Sequence, residues 1–183
     1  MVGSRSRAVL LVVVAAVVAV GVYALVNRPV ADPVQVTVSG GPARVGAPAP
    51  DFATQDLDGR VVKLSALANT PRIVNFWATW CTACQDEMPM IQQAVDANRA
   101  AGLTVLAADF RETDRPGMRR FLDRLHLKLR AIVDPKGRIA DVYGVTVGLP
   151  VSVFINRRGT IVAIQLGAMT AEQLAADLRT VLA

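Results

Sequence analysis

Histidine and cysteine are scarce in this chain: its 183 residues include one histidine and two cysteines. A structural zinc centre takes about four ligands, mostly Cys and His, and this chain lacks the residues for one. Massed charge is lacking as well. The net charge is +5, Arg5 and Arg7 stand at the extreme N-terminus, and the other basic residues are interspersed with acids, which argues against nucleic acid as a partner. The densest basic stretch, Arg115 to Arg130, carries Met118, Phe121, Leu122, Leu125 and Leu129 at helical spacing. It reads as a helix with a solvated face; contact with anionic lipid is the other use of such a face. His126 lies at the edge of that apolar stripe, which suits helix packing rather than catalysis. No internal repeat is apparent.

Apolar residues, by contrast, make up 52% of the chain, and the excess is local. "AVLLVVVAAVVAVGVYALV", Ala8 to Val26, contains no charge; at about 1.5 Å per residue it reaches roughly 28 Å, close to the hydrocarbon thickness of a bilayer. With Arg5 and Arg7 ahead of it, and Arg28 and then Asp32 behind, the positive-inside bias makes 1–7 cytoplasmic, 8–26 a single-pass anchor in the cytoplasmic membrane, and the remainder extracytoplasmic. A cleaved signal peptide is the rival reading, but its apolar core runs about 7–15 residues before a small-x-small site, and "VYALVN" is a poor one. No cysteine adjoins the run, which excludes a lipid-modified cysteine anchor. Pro29, Pro33 and Pro42 with Gly40 and Gly41 suit an extended linker over 27–44, and a folded domain is expected over 45–183.

Within that domain "DFATQDLDGRVVKLSAL" places a turn at Asp58-Gly59 between two short segments and reads as a β-hairpin. "RIVNFWA" has the apolar, β-rich character of a buried central strand. "CTACQDEMPMIQQAVDANRAAG" continues as a helix stopped near Gly102, with Pro89 inside it. "LTVLAADF" gives a further strand, Asp114-Arg115-Pro116 opens the basic helix, and "LRAIVD" gives another strand before a turn at Asp134 to Gly137. "PVSVFIN" and "TIVAIQL" flank "RRG" as an antiparallel hairpin, and Thr170 with Gln173 forms a capping box for the last helix. The expected class is α/β, a mixed sheet with helices on both faces.

Both cysteines fall in "NFWATWCTACQDEMP", at the strand-to-helix junction. A disulfide this local closes too small a loop to restrain the unfolded chain much, so a staple gains little. Two thiolates suffice for Cu(I), which keeps a copper carrier open as an alternative. A third use is redox. At a helix start the free N–H groups and the dipole stabilise negative charge, so Cys81 ionises more readily than a free thiol and is the nucleophile. Cys84, one turn inward, is placed to attack a mixed disulfide formed at Cys81. The arrangement that activates a peroxidatic cysteine, Pro-x-x-x-Thr/Ser-x-x-Cys, is missing, because position 78 is Ala and position 74 is Val.

"NFWATWCTAC" closely resembles the active-site segment of thioredoxin-like proteins, and "APDFATQDLDGRVVKLSAL" resembles the N-terminal extension of the TlpA and ResA group of membrane-anchored thiol-disulfide oxidoreductases. The likeness runs from about Val45 to the C-terminus. It implies a thioredoxin fold with an N-terminal β-hairpin extension and no cofactor beyond a redox-active Cys81–Cys84 disulfide. It implies two protein partners: a disulfide-bearing client, with apocytochrome c in cytochrome c maturation as the example, and a membrane thiol-reductant donor. "GLPVSVFIN" resembles the segment with a cis-proline beside the redox pair, which makes Pro150 catalytic and, with Leu149 and Trp80, substrate-binding. Asn75 stands where thioredoxin has a buried aspartate and cannot accept a proton. The resemblance assigns that task to Glu112, which otherwise is a loop carboxylate beside Arg111 and Arg115. Thr82-Ala83 departs from the Gly-Pro of thioredoxin, so a disulfide-forming oxidase stays open as the enzymatic alternative.

Overall fold

Six successive residues without an exposed position organise the sheet. In the computed structural model, which describes residues 13–21, 34–146 and 148–183, the segment RIVNFW is buried throughout. In chain order the elements are β1 (Thr37–Ser39), β2 (Asp51–Gln55), β3 (Val61–Lys63), β4 (Arg72–Trp77), α1 (Thr82–Ala97), β5 (Thr104–Asp109), α2 (Arg115–Arg124), β6 (Arg130–Ile132), α3 (Arg138–Val142), β7 (Val151–Ile155), β8 (Ile161–Leu166) and α4 (Ala171–Leu182). Five strands form one sheet in the order β6-β5-β4-β7-β8, with β4 at its centre. β4, β5 and β6 run parallel, whereas β7 is antiparallel to both β4 and β8.

Alternation along β4 divides the core. Ile73 and Trp77 face a cluster built with Cys84, Met88 and Ile91 of α1, Phe121 of α2 and Leu178 of α4. Val74 and Phe76 face a second cluster with Ile139 of α3 and with Phe52 and Val62 of the N-terminal strands. Helices therefore cover both faces as expected, although the second face is shared between one short helix and the three-stranded sheet β1-β2-β3. The period of two places Asn75 on the same side as Ile73 and Trp77, toward α1.

Most boundaries match the sequence reading. The Asp58-Gly59 turn joins β2 to β3, Gly102 adopts a left-handed φ of 75° after a 3-10 turn, Asp114 caps α2 through Gly117 N at 3.0 Å, and the Thr170–Gln173 capping box is complete. Two expectations are corrected. The stretch 27–44 is not all linker: Thr37–Ser39 is β1, paired with β2, and residues Val34 to Ala183 form one compact unit. A three-residue strand is held by its partner and by burial of its neighbours rather than by local propensity. α2 ends at Arg124, and His126 lies beyond it, exposed, with φ of 54°, rather than on the packed face of the helix.

Residues 1–33 form the other unit, of which 13–21 are helical. Among the described residues no helix is long and apolar enough to cross a membrane. The rest of 8–26 lies outside the described residues, as do 1–7.

Candidate active site

The chain leaves β4 at Trp77, turns through Ala78 to Trp80 and enters α1, and this turn carries the cysteine pair. Cys81 is the N-cap of α1, with extended backbone, and its Sγ accepts a hydrogen bond from Cys84 N at 3.1 Å. A sulfur held at a helix start receives the unpaired N–H groups of the first turn, which favours the thiolate once the pair is reduced. Cys81 and Cys84 are joined as a disulfide with S–S 2.06 Å. Cys81 retains 5% exposure and Cys84 none, so of the pair only Cys81 meets solvent.

Two tryptophans and a proline lie around this turn. Trp80 is 64% exposed beside Cys81, a broad apolar face at the rim. Trp77 is fully buried and packs on Phe121 at 4.8 Å between ring centroids. Pro150 follows a cis Leu149–Pro150 bond immediately ahead of β7. Because Val151 pairs with Phe76, Pro150 falls at the same end of the sheet as the turn that carries Cys81. Pro150 O accepts from Gly167 N at 2.9 Å, which ties the loop to the end of β8.

Glu112 reaches the turn, but at Thr79 rather than at a cysteine. Its carboxylate accepts from Thr79 N at 2.7 Å and from Thr79 Oγ1. Neither neighbouring arginine is its partner, since Arg111 pairs with Asp141 and Arg115 donates to Gln55. Glu112 N in turn donates to Asp109 Oδ1 at 2.9 Å, and Asp109 Oδ2 accepts from Asp134 N at 3.0 Å. Asp109 is wholly buried; desolvation outweighs those two backbone bonds and pushes its pKa up to about 7. A chain of hydrogen bonds therefore runs from this buried carboxyl through Glu112 to the residue two before Cys81.

Glu87 is the residue the sequence reading missed. It lies three positions after Cys84 on the same face of α1 and is 3% exposed. Oε1 accepts from Asn75 Nδ2 at 3.1 Å and from Ser152 Oγ at 3.5 Å, while Oε2 accepts from Met169 N at 2.8 Å. Burial raises its pKa above the usual carboxylate range, opposed by these donors. Two signals for it were present in the letters: an asparagine interrupting the apolar run Ile73 to Trp77 of the central strand, and a carboxylate in the buried register Cys84, Glu87, Met88, Ile91.

A mixed sheet with this strand order and a Cys-x-x-Cys pair at the first turn of the helix after the central strand defines the thioredoxin-like thiol-disulfide oxidoreductases. Comparison with known proteins narrows the class. Residues 45–164 match the model of the AhpC/TSA family, and the chain belongs to that family, on its ResA-like branch. It is 33% identical over 138 residues to the thiol-disulfide oxidoreductase ResA of Bacillus anthracis, covering 75% of this chain and 79% of the relative. Among solved structures it resembles a putative thiol:disulfide interchange protein DsbE from Chlorobium tepidum (TM-score 0.71, 30% identity, 77% of this chain and 99% of that one). It also resembles StoA from Bacillus subtilis (TM-score 0.60, 25% identity, 72% and 98%). The protein is a thiol-disulfide oxidoreductase of this kind.

Proposed function

We propose that the protein is tethered to the cytoplasmic membrane through residues 8–26 and reduces disulfides in extracytoplasmic client proteins, apocytochrome c among them, drawing electrons from a membrane thiol-reductant donor. The observation that carries this reading is the asymmetry of the pair. Cys81 caps the helix and keeps some exposed surface, whereas Cys84 is fully buried, three positions before the buried carboxylate of Glu87 on the same helix.

In the reduced protein Cys81 thiolate attacks one sulfur of the client disulfide, forming a mixed disulfide and releasing the client's other sulfur as a thiolate that takes a proton. Cys84 then attacks Cys81 Sγ, which breaks the mixed disulfide and frees the client dithiol. Two electrons have passed to the client, and the Cys81–Cys84 disulfide is left for a donor dithiol to reduce. Glu87, one helical turn from Cys84 and raised in pKa by burial, accepts the proton that Cys84 must lose. Glu112 acts through Thr79 and fixes the turn from which Cys81 attacks. A client chain docks in extended form on Trp80, Leu149 and Pro150, with main-chain contacts giving tolerance of sequence.

The test is the reduction potential of the pair, measured in glutathione or dithiothreitol buffers. A value near thioredoxin's roughly −270 mV or below marks a reductant that needs resupply. A value near the roughly −120 mV of a strong periplasmic oxidant overturns the direction and makes the protein a disulfide donor.

A further inference from the structure

The end of the sheet remote from the cysteines gathers more cations than acids among the described residues. Arg72 opens β4, and Arg157 and Arg158 sit in the turn between β7 and β8; all three line one cavity of about 320 Å³. β4 separates this end from the active-site turn by roughly 20 Å at about 3.3 Å per residue. Among the described residues none of the three arginines is in an ion pair.

Arg72 is the informative one. It is 4% exposed, and burial pulls its pKa down. Nη1 donates to the carbonyls of Leu64 at 3.4 Å and Leu67 at 2.5 Å, so one corner of the guanidinium is occupied by the turn after β3. Nε has no hydrogen-bond partner among the described residues. Nη2 points toward Gly159, where a Cβ would meet it at 3.5 Å. Stapling two carbonyls explains one nitrogen of three, and a buried cation with open donors is costly unless a counter-charge completes it.

The rim points the same way. Arg157 donates to Asn69 O at 3.2 Å and Ala101 O at 2.8 Å, contacts that position the side chain without neutralising it. Arg158 is exposed, and its side chain has no partner among the described residues. The single acid lining the cavity, Asp51, accepts at Oδ1 from Phe52 N and Ser65 N, each at 2.9 Å, and its charge offsets part of that of Arg72. Three arginines against one aspartate leave a local surplus that suits a doubly charged group, and a guanidinium fork matches the oxygens of phosphate.

We propose that this cavity binds a phosphate group, with Arg72 as its buried anchor and Arg157 and Arg158 closing over it. The site uses none of the redox residues, so it stands or falls apart from the function above. The phosphate belongs either to a soluble phosphate compound or to a phosphodiester headgroup of an anionic lipid.

The full chain in neutral detergent micelles is titrated at constant ionic strength with inorganic phosphate and, separately, with glycerophosphoglycerol, the headgroup of phosphatidylglycerol without its acyl chains. Calorimetry gives affinity, and the Arg72 Nε–Hε resonance reports on the anchor. Saturable binding of either probe is expected, with that resonance shifted and the affinity lowered about tenfold in Arg158→Ala, the loss of one charge-assisted hydrogen bond. Arg158 is exposed, so its removal leaves the fold and the disulfide-reductase activity intact. Tighter binding of the diester assigns the site to a lipid headgroup, and tighter binding of inorganic phosphate to a soluble compound. Absence of saturable binding by both probes, or equal affinity in Arg158→Ala and the wild type, overturns the proposal.

Discussion

At the scale of single residues, the chemistry divides between two sulfurs of unequal access and two carboxylates of unequal reach. Cys81→Ser abolishes exchange with a client disulfide, while Cys84→Ser accumulates a mixed disulfide visible as a shifted band on non-reducing electrophoresis; equal activity in both variants refutes the assignment. Glu87→Gln keeps the shape of the side chain but removes its proton-accepting oxygen. Resolution of the mixed disulfide should slow by about 10²-fold or more, the usual contribution of a positioned base, and its pH–rate profile should lose the limb that reports the carboxyl. A profile identical to the wild type removes Glu87 from the proton path. Glu112→Gln, whose contact is with Thr79, should leave that limb in place and lower the rate of the first attack by Cys81 instead. Glu87 was legible as an interruption of an apolar pattern, whereas the partner of Glu112 was not, because Thr79 lies 33 positions away in the chain.

At the scale of elements, β1 and the Asp109 loop carry the predictions. Thr37–Ser39 supplies the outer strand of the N-terminal sheet, Val36 beside it is buried, and Arg138 Nη1 donates to Val36 O at 3.1 Å. A fragment starting at Val45 should therefore unfold at lower urea than one starting at Val34. The difference should be about 2 kcal/mol or more, the burial of one valine side chain alone. Coincident curves would show that β1 adds nothing. Asp109 imposes a pH dependence of known sign. Its folded pKa, about 7, lies above its ordinary value of 3.8, so the stability it contributes is present in full below about pH 4 and is lost as pH rises through 7. Burial pushes Asp134 and Glu87 the same way. Asp109→Asn should flatten the fall in stability between pH 4 and 8 by close to one proton, read from urea midpoints across that range; an unaltered slope would mean that Asp109 is ionised throughout.

At the scale of the whole molecule, the question is which side of a membrane the redox pair faces. Reduced Cys81, the cysteine of the pair that keeps exposed surface, should react with a charged, membrane-impermeant maleimide in intact cells if it lies on the extracytoplasmic side. Labelling only after lysis would place the domain in the cytoplasm and contradict the proposed topology. The apolar run that motivates this test is a property of composition, visible before any fold is considered.

The letters alone determined the order of strands and helices from β2 onward except for the short helix α3, which the sequence reading did not place, together with the placement of the cysteines at a helix start and the turn and cap residues, because each of these rests on periodicity and chemistry within a few residues. The mixed sheet followed from the same alternation. The three-residue strand β1 and the end of α2 at Arg124 were decided by the tertiary structure, since a short strand gains its stability from a partner and a helix end from what lies beyond it. The same holds for the carboxylates. Glu87 meets Ser152 and Met169, and Asp109 meets Asp134, only when β7, the start of α4 and the loop after β6 pack beside β4 and β5. Desolvation, which raises the pKa of these groups, exists only in the folded chain.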